Sequence, residues 1–172
     1  KHRIIQEGDI VSLDAGVIYK GYHSDAARTH AVGEVSEEAK KLIQVTKESF
    51  FEGIKFAKAG NHLFDISGAI GRYAEERGYG VVRDLCGHGI RTVLHEAPEI
   101  PNYEVGRKGV RLRPGMTLAI EPMINIGTHE VDWLDDDWTV VTRDGSLSAH
   151  YENTILITEG EPRILSLTCE NE

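Results

Sequence analysis

Four carboxylates and one imidazole, Asp14, Asp25, Glu121, Glu152 and His88, each interrupt an apolar or glycine-rich stretch: VSLDAG, GYHSDA, AIEPM, AHYENT and CGHGI. An acid in apolar surroundings is costly unless it is paired or coordinates a metal. Five such residues in one chain have a simple common explanation, a shared metal centre. Oxygen-rich coordination with a single imidazole suits manganese, iron, cobalt or zinc better than it suits a thiolate zinc site. Bridging carboxylates hold two such ions about 3.5–4 Å apart. Ions so placed lower the pKa of a shared water and give hydroxide near neutral pH. That is a nucleophile for a carbonyl or phosphoryl centre, and spacing alone does not choose between them.

The elements that must position these residues follow from periodicity. Ile10 to Tyr19 is apolar and β-branched, and a second extended run goes from Tyr22 to Val32. With Lys20-Gly21 as a two-residue turn, the two make a hairpin, although Lys-Gly is a weaker turn signal than Asn-Gly. That turn sets Asp25 opposite Gly16, and Gly16 shares a face with Asp14 because strand side chains alternate. The two aspartates are then diagonal neighbours, within reach of one ligand. A loop one residue longer would put them on opposite faces.

Two helices come next. Ser36 is a good N-cap, Glu37 and Glu38 suit the first turn, and apolar or small residues recur at helical spacing from Ala39 to Ala57, with Gly60 as a stop. A second stripe, Leu63, Ile66, Ile70, Tyr73 and Ala74, ends at Gly78. Strand character returns at Val81–Leu85, Met116–Ile124, Thr139–Thr142 and Ala149–Thr158, while Pro98–Pro114 reads as loop. Gly87-His88-Gly89 reads as a tight turn after a strand, from which a histidine projects. Pro122 cannot donate to a ladder, so Glu121 is expected at an edge or a break. Asp135-Asp136-Asp137 reads as a solvated turn. The predicted class is α/β of the α+β kind, a largely antiparallel sheet backed by helices.

Length and charge set outer bounds. A chain of 172 residues is enough for one compact domain. Net charge is −9, with 28 acids against 19 bases, which argues against a nucleic-acid-binding surface, since phosphate contact needs clustered Lys and Arg. No apolar run approaches the length that spans a bilayer. Cys86 and Cys169 are far apart and do not make a disulfide framework, so a reducing compartment is expected. The chain begins Lys-His-Arg and enters a strand within ten residues, which reads as an N-terminally truncated sequence.

The blocks GDIVSLDAGVIYKGYHSDAARTHAVGEVSEEA, GHGI with HEAPEIPNY, RLRPGMTLAIEPMIN and WTVVTRDGSLSAHYENT resemble consecutive blocks of the type I methionine aminopeptidases. The resemblance covers essentially the whole chain. It implies the pita-bread fold, with the N-terminal part of its first half missing. It also implies a cytoplasmic two-metal exopeptidase using Co, Mn, Fe, Zn or Ni, which removes the first methionine of nascent peptides through a metal-bridging hydroxide. Its partners would be peptide or nascent-chain N-termini, met near the ribosome, with no direct nucleic-acid or membrane binding.

By that resemblance Asp14 holds one metal, Asp25 and Glu152 bridge, and His88 and Glu121 complete the other shell. Glu121 shuttles the proton, His95 hydrogen-bonds the substrate, and Leu94 and Trp138 line the methionine pocket. Arg91 stands where the family's GHGIG has glycine, so it would be strained if that position needs a positive φ, and it would bring a cation near the metals. Leu94 replaces a frequent aromatic. A family member has a further N-terminal segment covering part of the sheet, so this stretch alone is expected to expose apolar surface and to have little peptidase activity. Two other readings remain: an aminopeptidase P or prolidase-like enzyme with the same ligands, and a non-catalytic binding module of the same fold.

Overall fold

A computed structural model describes residues 3–167. It opens with a hairpin of β1 (Ile10–Tyr19) and β2 (Tyr22–Ala31) in the predicted register, Asp25 opposite Gly16 and Asp14 opposite Ala27. Lys20 and Gly21 both take positive φ, +51° and +81°, as a two-residue hairpin turn demands. The inner face carries Asp14, Gly16 and Asp25. The outer face carries Leu13, Val17, Tyr19 and Tyr22, each between 60% and 69% exposed.

Helices α1 (Glu37–Ile54) and α2 (Leu63–Glu75) pack on each other and on the sheets. The Ser36 hydroxyl accepts from the Ala39 N–H, as its cap position predicted. Helix α1 ends at Ile54 and not near Gly60. The N–H groups of Phe56 and Ala57 bond three residues back, to Gly53 and Ile54, and the tightened turn ends the helix. Phe50, Ile54, Leu63, Ile66 and Ile70 pack with Leu118, Ile120, Tyr151 and Ile155 in the main core.

Two long segments build the rest. The first holds β6 (Thr117–Ile120) and β7 (Met123–Asn125), and the second holds β10 (Ser148–His150) and β11 (Asn153–Leu156). They run antiparallel in one continuous register, β7 against β10 and β6 against β11. The ladder breaks at Glu121-Pro122, as the proline predicted, opposite Tyr151-Glu152. A five-stranded antiparallel sheet lies on one side of the break, ordered β12 (Arg163–Ile164), β11, β6, β4 (Gly87–Gly89), β5 (Glu96–Ile100). On the other side is a three-stranded sheet of β10, β7 and β3 (Gly80–Val81), and β8 (Val131–Trp133) and β9 (Val140–Thr142) form a separate hairpin.

Several expectations need correction. Gly87-His88-Gly89 is itself a strand, not a turn after one. A Cβ on Gly87 would lie 2.4 Å from the Ala119 carbonyl oxygen, and one on Gly89 would lie 2.3 Å from that of Ala97. These glycines therefore serve close backbone approach within the sheet. The predicted loop from Pro98 begins inside β5, the Val81–Leu85 strand shrinks to Gly80–Val81, and β8 and β12 lie outside every predicted strand. No helix among the described residues is long and apolar enough to cross a membrane. Cys86 is a free thiol, and Cys169 lies outside the described residues.

Candidate metal centre

All five sequence-predicted ligands converge at the interrupted ladder. The register that pairs Asn153 with Ile120 and His150 with Met123 sets Glu121 and Glu152 directly opposite each other, in the gap between strands. Two like charges facing across a ladder repel, so this placement needs a cation or a proton. The hairpin docks on the same gap. Glu152 N–H donates to the Ala27 carbonyl at 2.9 Å, and the Thr154 hydroxyl bridges the Asp25 backbone, accepting from its N–H at 2.8 Å and donating to its carbonyl at 2.9 Å. The Arg28 guanidinium lies over the Tyr151 ring and donates to the Glu152 carbonyl and the Asn153 side chain, which ties β2 to β11.

His88 comes from β4, next to β6. Its Nδ1 lies 3.0 Å from the Gly89 carbonyl oxygen, so it donates there and the Nε2 lone pair is left facing the acids. That Nε2 is 3.4 Å from Glu121 Oε1 and 3.9 Å from Asp25 Oδ2. Three donor groups form, each with its atoms within 4.8 Å of one another: His88, Glu121 and Glu152; Asp14, Asp25 and Glu152; Asp25, His88 and His95. Asp25, His88 and Glu152 are buried, whereas Asp14 is exposed, contrary to the expectation that all five sit in apolar surroundings.

Electrostatics make the same point. Burial first, then Asp14 and Asp25, push the Glu121 carboxyl up to about 8. Burial, then Glu121, Asp25 and Asp14, push Glu152 up to about 10 against the opposing pull of Arg28. Asp25 is raised by burial and by Asp14, and burial lowers His88. Glu152 Oε1 is buried and has no hydrogen-bond partner. Acids so crowded, one with an orphaned oxygen, beside an imidazole with its lone pair turned inward, fit a divalent cation.

The donors open on a cleft of about 550 Å³. His95 and Trp138 border it, and the His95 ring meets the His88 ring edge-on at 4.4 Å. Trp138 is 84% exposed. Leu94 Cδ1 would lie 3.4 Å from a Cβ on Gly16, on the hairpin face that carries Asp14 and Asp25. Arg91 has no positive φ and does not border the cleft; its guanidinium lies 3.6 Å from Glu96. Asp136 accepts from the N–H groups of Trp138 and Thr139, a turn role as expected.

Sequence reasoning missed Leu85, Cys86, Met123 and His150, which also border the cleft. His150 Nε2 is 3.8 Å from Glu121 Oε2 and has no hydrogen-bond partner. The signal for it was available: His150 and Glu152 are two apart in one extended segment, hence on one face.

The profile of metallopeptidase family M24 matches residues 1–159. A methionine aminopeptidase of Clostridium acetobutylicum is 59% identical over 170 residues, covering 99% of this chain and 68% of the relative. The crystal structure of a methionine aminopeptidase from Thermotoga maritima superposes with a TM-score of 0.93 at 49% identity, covering 96% of this chain and 67% of that one. A prolidase from Pyrococcus furiosus shares the fold less closely, with a TM-score of 0.75 at 28% identity over 95% of this chain and 43% of that one. The chain spans about two thirds of the length of the curated relatives it matches. Five convergent donors, a matching family profile and majority identity to a curated relative place the chain in metallopeptidase family M24, among its methionine aminopeptidases.

Proposed function

We propose that the chain carries the two-metal catalytic site of an exopeptidase that removes methionine from peptide and nascent-chain N-termini. The observation that carries this reading is the convergence of Asp14, Asp25, His88, Glu121 and Glu152 on one break in a ladder, beside a cleft. Asp14, Asp25 and Glu152 would hold one divalent ion, and His88, Glu121 and Glu152 the other, with Asp25 close enough to both to bridge. Bound there, the ions supply Lewis acidity at the scissile carbonyl and make a water acidic enough to lose a proton near neutral pH.

The chain's own groups do the rest. Glu121, as a carboxylate, takes the proton of the attacking water and gives it to the leaving amine, a transfer worth about 10²–10⁴-fold. His95 donates a hydrogen bond to the carbonyl oxygen as charge builds there, worth about 3–4 kcal/mol for a well-placed donor. Trp138 and Met123 give the cleft apolar walls suited to an unbranched thioether. The ionic set accepts manganese, cobalt, iron, zinc or nickel.

The test has two arms. Calorimetric titration with manganese or cobalt measures two ions per chain; no binding refutes the site and supports a non-catalytic module. A polypeptide of the relatives' length that contains this chain cleaves Met-Ala-Ser and leaves Gly-Pro peptides intact; the reverse preference makes it a prolidase-like enzyme. The 172 residues alone turn over slowly, because the hairpin bearing Asp14 and Asp25 has a bare outer face.

A further inference from the structure

The net charge of −9 is an average, and one strip of surface reverses it. From Val105 to Ile120 there is no acidic residue, and Arg107, Lys108, Arg111 and Arg113 fall within that stretch. All four are exposed. None forms an ion pair among the described residues, whereas their neighbours Arg72 and Lys58 hold Glu104 and Glu161.

The strip is fixed in place. The carbonyls of Lys108 and Val110 accept from Phe64 and Leu63 at the start of α2, and Leu112 exchanges two main-chain bonds with Gly60 and Asn61. The cations therefore stand on a pinned extended loop. Beside it lies a groove of about 610 Å³, lined by Arg107, Lys108, Phe56, Phe64 and Asn61. Phe56 is 41% exposed, and the Arg107 guanidinium lies 5.4 Å from the centre of the Phe64 ring. The acids at this groove are engaged: Glu104 by Arg72, and Asp65 by the His62 N–H.

We infer that this strip and groove form a docking surface for RNA, which shares no lining residue with the metal cleft. Unpaired cations along an extended loop suit the repeated phosphates of a backbone. An exposed phenylalanine beside arginines gives an unpaired base a place to stack. An anionic membrane would ask for an apolar face to insert, and the strip offers little exposed apolar surface beyond Val110 and Phe56. The inference does not depend on the peptidase reading.

Fluorescence anisotropy of a labelled single-stranded RNA of about 20 nucleotides tests it. Four phosphate contacts give a log–log salt slope of about −3, so affinity falls about 50-fold between roughly 50 and 200 mM salt. Combined Arg107→Glu, Lys108→Glu, Arg111→Glu and Arg113→Glu flattens the slope and weakens binding at least about tenfold. The milder pair Arg107→Gln with Lys108→Gln, with an unchanged thermal midpoint, gives about half the loss of slope. Metal binding is unaffected in both variants, since none of the four touches the metal centre. Three results would overturn the inference: no salt-dependent RNA binding by the wild type, equal binding by the reversed variant, or capture by phosphatidylserine vesicles, and not by phosphatidylcholine vesicles, that outcompetes the RNA.

Discussion

The metal centre is assembled from two unequal regions. Glu121 and Glu152 stand in the break of the ladder and His88 on the adjoining β4, backed by Ile120, Ile155 and the helices behind them. Asp14 and Asp25 stand on a two-stranded hairpin whose reverse face shows Leu13, Val17, Tyr19 and Tyr22 to solvent. The sheet donors are oriented by the core, and His88 has its tautomer set by a main-chain carbonyl. Of the hairpin donors, Asp25 is anchored by Thr154, while Asp14 is exposed. A shared ion site thus has a preorganised half and a half whose position depends on an element with one face uncovered. Preorganised ligands lose less on binding, so the two halves should differ in affinity and in tolerance to mutation.

The largest effect should come from the preorganised half. Glu121→Gln keeps shape but removes the proton acceptor and an anionic ligand, and kcat for Met-Ala-Ser should fall about 10²–10⁴-fold. A variant within a factor of about three of wild type would take Glu121 out of the chemistry. The next comparison sets the halves against each other by metal content. Asp14→Ala should leave one tightly held ion on the sheet donors and lose the second, whereas His88→Ala should weaken the tight one by at least about tenfold. Equal losses would mean that the hairpin is as well ordered as the sheet.

The acid cluster also predicts a pH dependence for metal-free protein. Burial and the neighbouring carboxylates push Glu121 up to about 8 and Glu152 up to about 10, above the ordinary 4.5. Between 4.5 and those values the folded state binds more protons than the unfolded one, so stability falls as pH rises. As far as these two groups are concerned it is fully present below pH 4.5 and is lost progressively as pH rises, up to about 8 for Glu121 and about 10 for Glu152. Bound cations stabilise the ionised carboxylates instead. Thermal midpoints of chelator-treated protein should therefore drop from pH 5 to pH 9, while those of metal-loaded protein stay level. A flat metal-free profile would remove the case for crowded, desolvated acids. Packing gives a further contrast: Ile155→Ala should cost about 2–5 kcal/mol in denaturant unfolding, and Val17→Ala should cost within about 0.5 kcal/mol.

What was legible in the sequence divides along the same line. The hairpin register could be read because a two-residue turn and period-2 alternation leave no freedom once the turn is placed. The break at Glu121 could be read because Pro122 cannot donate. Strands β4 and β5 could not. Gly87 and Gly89 imitate turn residues while serving close backbone contact, and Pro98 hides an edge strand. The bare outer face of β1 was expected only from the resemblance; alternation alone gave a strand apolar on both sides, and burial is a property of what packs against it. Leu94, singled out only by the resemblance, lies against the hairpin face that carries Asp14 and Asp25, next to Gly16.

The smallest predicted effect tests the hairpin at its turn. Lys20 is one of two non-glycine residues with positive φ among the described residues, the other being Asp137. The left-handed region costs a lysine more than an asparagine, whose short amide bonds locally to the backbone. The strain serves the register, because Lys20 and Gly21 must both turn this way for Asp25 to face Gly16 and lie beside Asp14. Lys20→Asn should therefore raise stability by about 0.5 kcal/mol and tighten the weaker ion slightly, leaving the sheet-held ion unchanged. If it tightened both ions equally, the hairpin and the sheet would be one rigid unit, and the contrast between the two halves of the site would fail.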